Sequence, residues 1–155
     1  MKIFRPMKIV VAAGLFLVGT SGLVFAGDEV PAAAAETVAA QIRDISAVEA
    51  NDYLSSDSAA RDKVVVLDIR TAKEFGEGHL KGAKNINFLG KEFKDELAKL
   101  DKDRTYVMHC QSGGRSSRAK KVFQELGFKK VLHIQDGYRA WASAGFPVEK
   151  GTPAE

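Results

Sequence analysis

A chain of 155 residues with 45% hydrophobic and 28% charged residues has room for one domain of ordinary globular composition. That mixture excludes a coiled coil, a collagen-like chain and a disordered chain, and no internal repeat is present. The formal charge of +3 traces to Lys2, Arg5 and Lys8 in an acid-free N-terminus; beyond residue 26 the 20 basic and 20 acidic residues balance, so no global field steers the protein to nucleic acid or anionic lipid.

Residues 1–26 read as an export signal peptide. Met1–Lys8 is basic, Ile9–Val18 is a ten-residue apolar core, and Val24 and Ala26 are the small residues a signal peptidase reads before Gly27. The expected location is therefore exported, in the periplasm, with no membrane contact after cleavage. The alternative is an N-terminal membrane anchor. As a helix Ile9–Ala26 would span roughly 27 Å, marginal for a bilayer, and its glycines and hydroxyls weaken it. Residues 27–40 are alanine-rich without apolar periodicity and read as a lead-in. The domain is expected over 41–151, with a short tail at 152–155.

An alternation of helical and strand patterns begins at Gln41. Ser46 to Glu49 (SAVE) is a capping box that opens a helix with Val48, Tyr53 and Leu54 on one side. Val64–Leu67 is a continuous apolar run, as in a strand covered on both faces. Thr71 to Glu74 is a second capping box. Asn85–Phe88 reads as a short strand, and Phe93, Leu97 and Leu100 space out a helix. Tyr106–His109 is a strand that runs into Cys110. Ala119, Val122, Phe123 and Leu126 form the inner face of the next helix, which Gly127 closes. Val131–Ile134 is another strand, and Asp136 caps a last helix carrying Tyr138 and Trp141. Strands alternating with helices predict an α/β layer with a largely parallel sheet.

The lone cysteine, Cys110, excludes an intramolecular disulfide, so the fold rests on its core. A single Cys is often an inert small hydrophobe. Its surroundings argue otherwise here. Cys110 to Ser116 (CQSGGRS) lies between a strand and a helix, beyond the carboxyl end of the strand, where open α/β sheets bind ligands. Such a loop aims backbone N–H groups into one concavity, and the helix dipole adds positive potential. Gly113 and Gly114 permit the backbone angles of a cradle, and Arg115 adds a forked cation suited to oxyanions. The same field stabilises a thiolate. Glycines alone would read as an ordinary turn; the cysteine and arginine with them read as a nucleophilic sulfur at the base of an anion pocket.

This loop, C-x-x-G-x-R-S, resembles the active-site loop of the rhodanese family. Asp68-Ile69-Arg70, Glu74-Phe75 and Gly78–Ala83 are similar to the family's first block, and Trp141 with Gly145–Val148 resembles its closing block. The similarity runs from about Ile45 to Gly151. It departs at Asp136-Gly137, where the family often has Gly-Gly, a turn remote in sequence from the loop. The resemblance implies a rhodanese-like three-layer fold, a small and largely parallel sheet flanked by helices, and a sulfurtransferase that works in two steps. Cys110 takes sulfane sulfur from a donor such as thiosulfate as a persulfide and passes it to a thiol or cyanide acceptor. By position, the backbone from Gln111 through Ser112, Gly113 and Gly114 to Ser116 would hold the persulfide, and Arg115 the donor's anionic end. The scheme requires no metal and no organic cofactor.

His109 adjoins the nucleophile, but alternation along a strand should point it away. His79 and His133 are scattered, and three His with one Cys make no recognisable metal site. Asp68, Arg70 and Glu74 read as an ion-pair and capping network beneath the loop. Arg118, Lys120 and Lys121 read as a solvated helix face. Two other functions share the loop's logic. A cysteine phosphatase or arsenate reductase would carry the Arg six residues after the Cys, not five as here. A persulfide relay or sensing module would hold sulfur for a protein partner and turn over poorly alone.

Overall fold

The computed structural model describes residues 41–151; the signal peptide expected at 1–26, the lead-in at 27–40 and the tail at 152–155 lie outside the described residues. In chain order the elements are β1 (Gln41–Ile45), α1 (Ala47–Leu54), α2 (Asp57–Arg61), β2 (Val65–Asp68), α3 (Ala72–Glu77), β3 (His79–Leu80), β4 (Lys84–Asn85), α4 (Phe93–Ala98), β5 (Thr105–His109), α5 (Gly114–Glu125), β6 (Lys130–Ile134), α6 (Gly137–Ser143) and β7 (Val148–Glu149). The main sheet has the order β1-β6-β5-β2-β4, and every pair in it is parallel. A second sheet is the antiparallel pair β3–β7.

Strand alternation divides the interior into two cores. Leu67, Tyr106, Met108, Cys110 and Val131 pack with Phe93, Leu97, Ala119 and Phe123 of α4 and α5. Val66, Val107, Leu132 and Ile134 face the other way, onto Ala47, Ala50, Phe75 and Trp141. Helices on both faces of a parallel sheet make the three-layer α/β fold that the resemblance implies, with the parallel sheet that the alternating pattern predicts. β5 is buried along its whole length, so the strand that leads into Cys110 is centrally held.

Both capping boxes form as expected, at Ser46–Glu49 and Thr71–Glu74. Three expectations change. Val48 is 55% exposed, because α1 lies close against its neighbours through the small residues Ala47 and Ala50. The strand expected over Asn85–Phe88 is only Lys84–Asn85, because its partner β2 ends at Asp68. Ile86 and Phe88 still donate N–H groups to Asp68 and Ile69 carbonyls at 3.0 and 3.1 Å, outside a regular ladder. The third is Asp136. It holds the N-cap position of α6 but does not cap it; its carboxylate accepts from the Ala47 N–H at 3.0 Å, at the start of α1. A carboxylate at a helix N-terminus satisfies an orphan donor and opposes the dipole, and α1 is the helix within its reach.

Candidate active site

β5 delivers Cys110 to the carboxyl edge of the sheet, and the chain turns at once into α5. Gly113 makes the turn, with φ +86, in a conformation that L side chains rarely adopt. A Cβ at Gly113 would overlap the Gln135 carbonyl oxygen, whereas one at Gly114 would meet nothing within 4 Å. The loop is held from below as well. The N–H groups of Tyr138 and Arg139, at the start of α6, donate to the carbonyls of Cys110 and Gln111 at 2.8 and 3.1 Å. Gly137, at φ +69, lets that approach happen, since a Cβ there would stand 2.7 Å from Cys110 O and from the Gln111 carbonyl carbon. The Asp136-Gly137 turn is remote in sequence from the loop but packs directly against it.

Cys110 is buried, 1% exposed. Burial alone would raise its pKa; the Ser116 hydroxyl and the backbone N–H groups of Ser116, Ser112 and Arg115 outweigh that, and the thiol falls below its ordinary value. The direction follows from magnitude, since a hydrogen bond to a charged group is worth about 1.5–3 kcal/mol and several converge on one sulfur. The cradle expected from Gln111 to Ser116 thus acts on the sulfur through these donors. Gln111 turns its side chain elsewhere, and its Oε1 accepts from Arg70 Nη1 at 3.1 Å.

Arg115 sits on the first turn of α5, as the sequence pattern requires. Its fork is engaged: Nη1 and Nη2 donate to the two carboxylate oxygens of Glu74 at 2.8 and 2.6 Å. Glu74 is held down to a pKa of about 2, first by Arg115 and then, against the cost of burial, by the Thr71 hydroxyl and N–H. Arg115 is raised in turn, chiefly by Glu74 and to a smaller degree by the Cys110 sulfur. One carboxylate therefore caps α3 and positions the loop's cation.

Beneath the loop, Arg70 and Asp68 form an ion pair at 2.5 Å with side chains 2% and 0% exposed. Arg70 also donates to Gly78 O at 2.6 Å and lies 4.0 Å over the Tyr138 ring. His109 points away from the sulfur, as alternation requires. Its Nδ1 lies 3.2 Å from Cys110 O, and burial holds its pKa below the ordinary value. His79 stacks on Phe75 and places Nδ1 3.0 Å from the Phe75 carbonyl.

Sequence reasoning missed His133 and Asp44. Asp44 and His133 are register partners on β1 and β6, and both face α5 with Cys110. His133 Nε2 lies 2.7 Å from Ser116 Oγ, and its Nδ1 lies 2.8 Å from Asp44 Oδ1. Lys120, expected on a solvated face, reaches across to Asp44 at 2.5 Å. Arg118 instead lies 5.5 Å over the Phe88 ring. Among the described residues no group of His, Cys, Asp and Glu is arranged to hold a metal ion, and no helix is long and apolar enough to cross a membrane.

Comparison with known proteins agrees with this geometry. The Rhodanese-like domain family matches residues 50–144. A protein of Arabidopsis thaliana named Thiosulfate sulfurtransferase 16, chloroplastic, is 33% identical over 93 residues, 54% of this chain and 78% of that one. A sulfurtransferase of Allochromatium vinosum is 31% identical over 98 residues, covering 63% of this chain and 90% of its own. The crystal structure of a rhodanese-related protein from Thermoplasma volcanium superposes with a TM-score of 0.59 at 25% identity, over 69% of this chain and 97% of that one. By sequence match and by fold, with its cysteine cradled between a parallel strand and a helix, the chain belongs to the rhodanese-like family of sulfurtransferases.

Proposed function

We propose that the protein is an exported sulfurtransferase that carries sulfane sulfur on Cys110 from a donor such as thiosulfate to a thiol or cyanide acceptor. The observation that carries this reading is the convergence of the Ser112, Arg115 and Ser116 N–H groups and the Ser116 hydroxyl on one buried sulfur, which lowers its pKa against the effect of burial. A thiolate so held is the nucleophile that sulfur transfer needs. It attacks the outer sulfur of thiosulfate. A new S–S bond forms, the sulfur–sulfur bond of the donor breaks, and sulfite leaves with the electron pair. An acceptor thiolate or cyanide then attacks the outer sulfur of the persulfide and releases the Cys110 thiolate. The name of the plant relative supports thiosulfate as donor. The basic–apolar–small pattern of residues 1–26 supports export.

Intact-mass measurement tests the reading. Incubation with thiosulfate should add one sulfur atom, and cyanide should remove it. Cys110→Ala should form no adduct, and Cys110→Ser should be nearly as inert, because an alcohol forms no persulfide. An adduct on either variant would overturn the assignment. N-terminal sequencing should find Gly27 first in the exported fraction; Met1 retained in membranes would establish the anchor instead. The alternative reading is a persulfide relay to a protein partner. Steady-state turnover with thiosulfate and a small thiol separates the two, since a relay alone turns over poorly.

A further inference from the structure

A buried thiol that ionises must send its proton somewhere, and of the cradle groups described above only the Ser116 hydroxyl can accept it. The chain Cys110–Ser116–His133–Asp44 supplies an exit. Ser116 Oγ lies 3.3 Å from Cys110 Sγ, 3.0 Å from Gly113 O and 2.7 Å from His133 Nε2. One hydroxyl hydrogen thus faces three acceptors when His133 is neutral. Asp44, as a carboxylate, fixes the hydrogen on His133 Nδ1 at 2.8 Å and leaves Nε2 free to accept. The serine and histidine are fully buried, while the Asp44 side chain is 46% exposed at the sheet edge. The path therefore runs from a buried sulfur to a solvent-exposed carboxylate.

We propose that Ser116, His133 and Asp44 form a proton path that deprotonates Cys110 and then holds its thiolate, a role that rests on Cys110 being the sulfur carrier. The thiol proton passes to Ser116 Oγ as the serine proton passes to His133 Nε2. The products are a thiolate and an imidazolium, with no electron gained or lost. The imidazolium now donates from Nε2 to Ser116 Oγ, which leaves the serine hydrogen to the thiolate and Gly113 O, and the anionic sulfur is the stronger acceptor of the two. Protonation of His133 thereby removes one competitor for the Ser116 hydrogen and biases it toward the sulfur. His133 and Asp44 act through Ser116 and are positioning residues.

The groups that face His133 permit this. Asp44 from β1 and Asp136 from the turn after β6 favour the imidazolium, Lys120 from α5 opposes it, and burial opposes it most strongly. The ring accordingly stays below the ordinary imidazole range and enters the cycle neutral, as a proton acceptor must. Lys120 and His133 together hold Asp44 ionised, since both lower its pKa.

The test is the pH profile of Cys110 alkylation by iodoacetamide, with sulfur uptake from thiosulfate scored on the same samples by mass. His133→Gln keeps a hydrogen-bonding side chain but takes no proton. Its profile should move up by roughly one pH unit, so that alkylation near neutral pH falls about 10-fold. Asp44→Asn, at the exposed edge, should move the profile the same way by less, and it carries the test if His133→Gln does not fold. A folded variant whose profile superimposes on the wild type overturns the path. A uniform loss at every pH also overturns it, because it marks a purely structural histidine. Wild type that alkylates with the expected dependence yet takes up no sulfur overturns the sulfurtransferase reading and leaves the proton path standing.

Discussion

Glu74 and Arg115 close a two-pronged ion pair, at 2.8 and 2.6 Å, between the N-terminal turn of α3 and that of α5. The pair ties a capping box to the cysteine loop, so the cation beside the sulfur has a partner before any donor arrives.

Removing Arg115 therefore does two things: it deletes a donor and leaves the Glu74 carboxylate unpaired at the edge of an anion site. Arg115→Ala should lower kcat/KM for thiosulfate by roughly 10- to 150-fold, the worth of a hydrogen bond to a charged group. Arg115→Ala combined with Glu74→Gln should recover part of that loss, because the repulsive carboxylate is gone. Steady-state kinetics on the four proteins of this cycle measure the coupling. Purely additive losses would show that Glu74 has no electrostatic bearing on donor binding.

Glu74 also sets a pH dependence of stability. Its folded pKa of about 2 lies below the ordinary 4.5, so its contribution is present above 4.5 and lost as pH falls towards 2. The wild-type Tm should exceed that of Glu74→Gln near neutral pH, and the gap should close between those two values. Thermal melts over that range check it; a gap that is constant with pH would assign the effect to the amide rather than to charge.

The two loop glycines should behave oppositely. Gly113→Ala forces a Cβ into the Gln135 carbonyl at φ +86 and should cost at least about 1–3 kcal/mol, with sulfur uptake lost. Gly114→Ala meets open space on the first turn of a helix and should be neutral or stabilise by roughly 0.5–1 kcal/mol. Urea melts compare them. Equal tolerance would mean the turn can be remade without a left-handed residue.

Asp68 and Arg70 make a buried ion pair, and removing one partner strands the other. Asp68→Ala should destabilise the fold by about 3–5 kcal/mol, read by urea denaturation. A loss under about 1 kcal/mol would show that Gly78 O and Gln111 Oε1, its remaining acceptors, suffice for the guanidinium.

Several features were legible in the amino-acid order because each depends on neighbours along the chain. Capping at Ser46 and Thr71 and the strand–Cys–Gly–Gly–Arg–helix order are set within a few residues, and the apolar runs of β2, β5 and β6 and the inner face of α5 show in residue spacing alone. Elements that lean on distant partners were not legible. β1 carries only Ile42 and Ile45 as apolar residues and exists because it pairs with β6, and β3 and β7 exist only as each other's partners. The site divides in the same way. Cys110 and its amide donors belong to one short loop, whereas Asp44 meets His133 across 89 residues and Arg115 meets Glu74 across 41. Asp136 serves α1 rather than its own helix, and Gly137 is needed by the approach of Cys110 and Gln111 as well as by its own turn. Spacing along a chain sets which face a side chain takes within one strand or helix; strand register and helix packing decide which face of another element it meets.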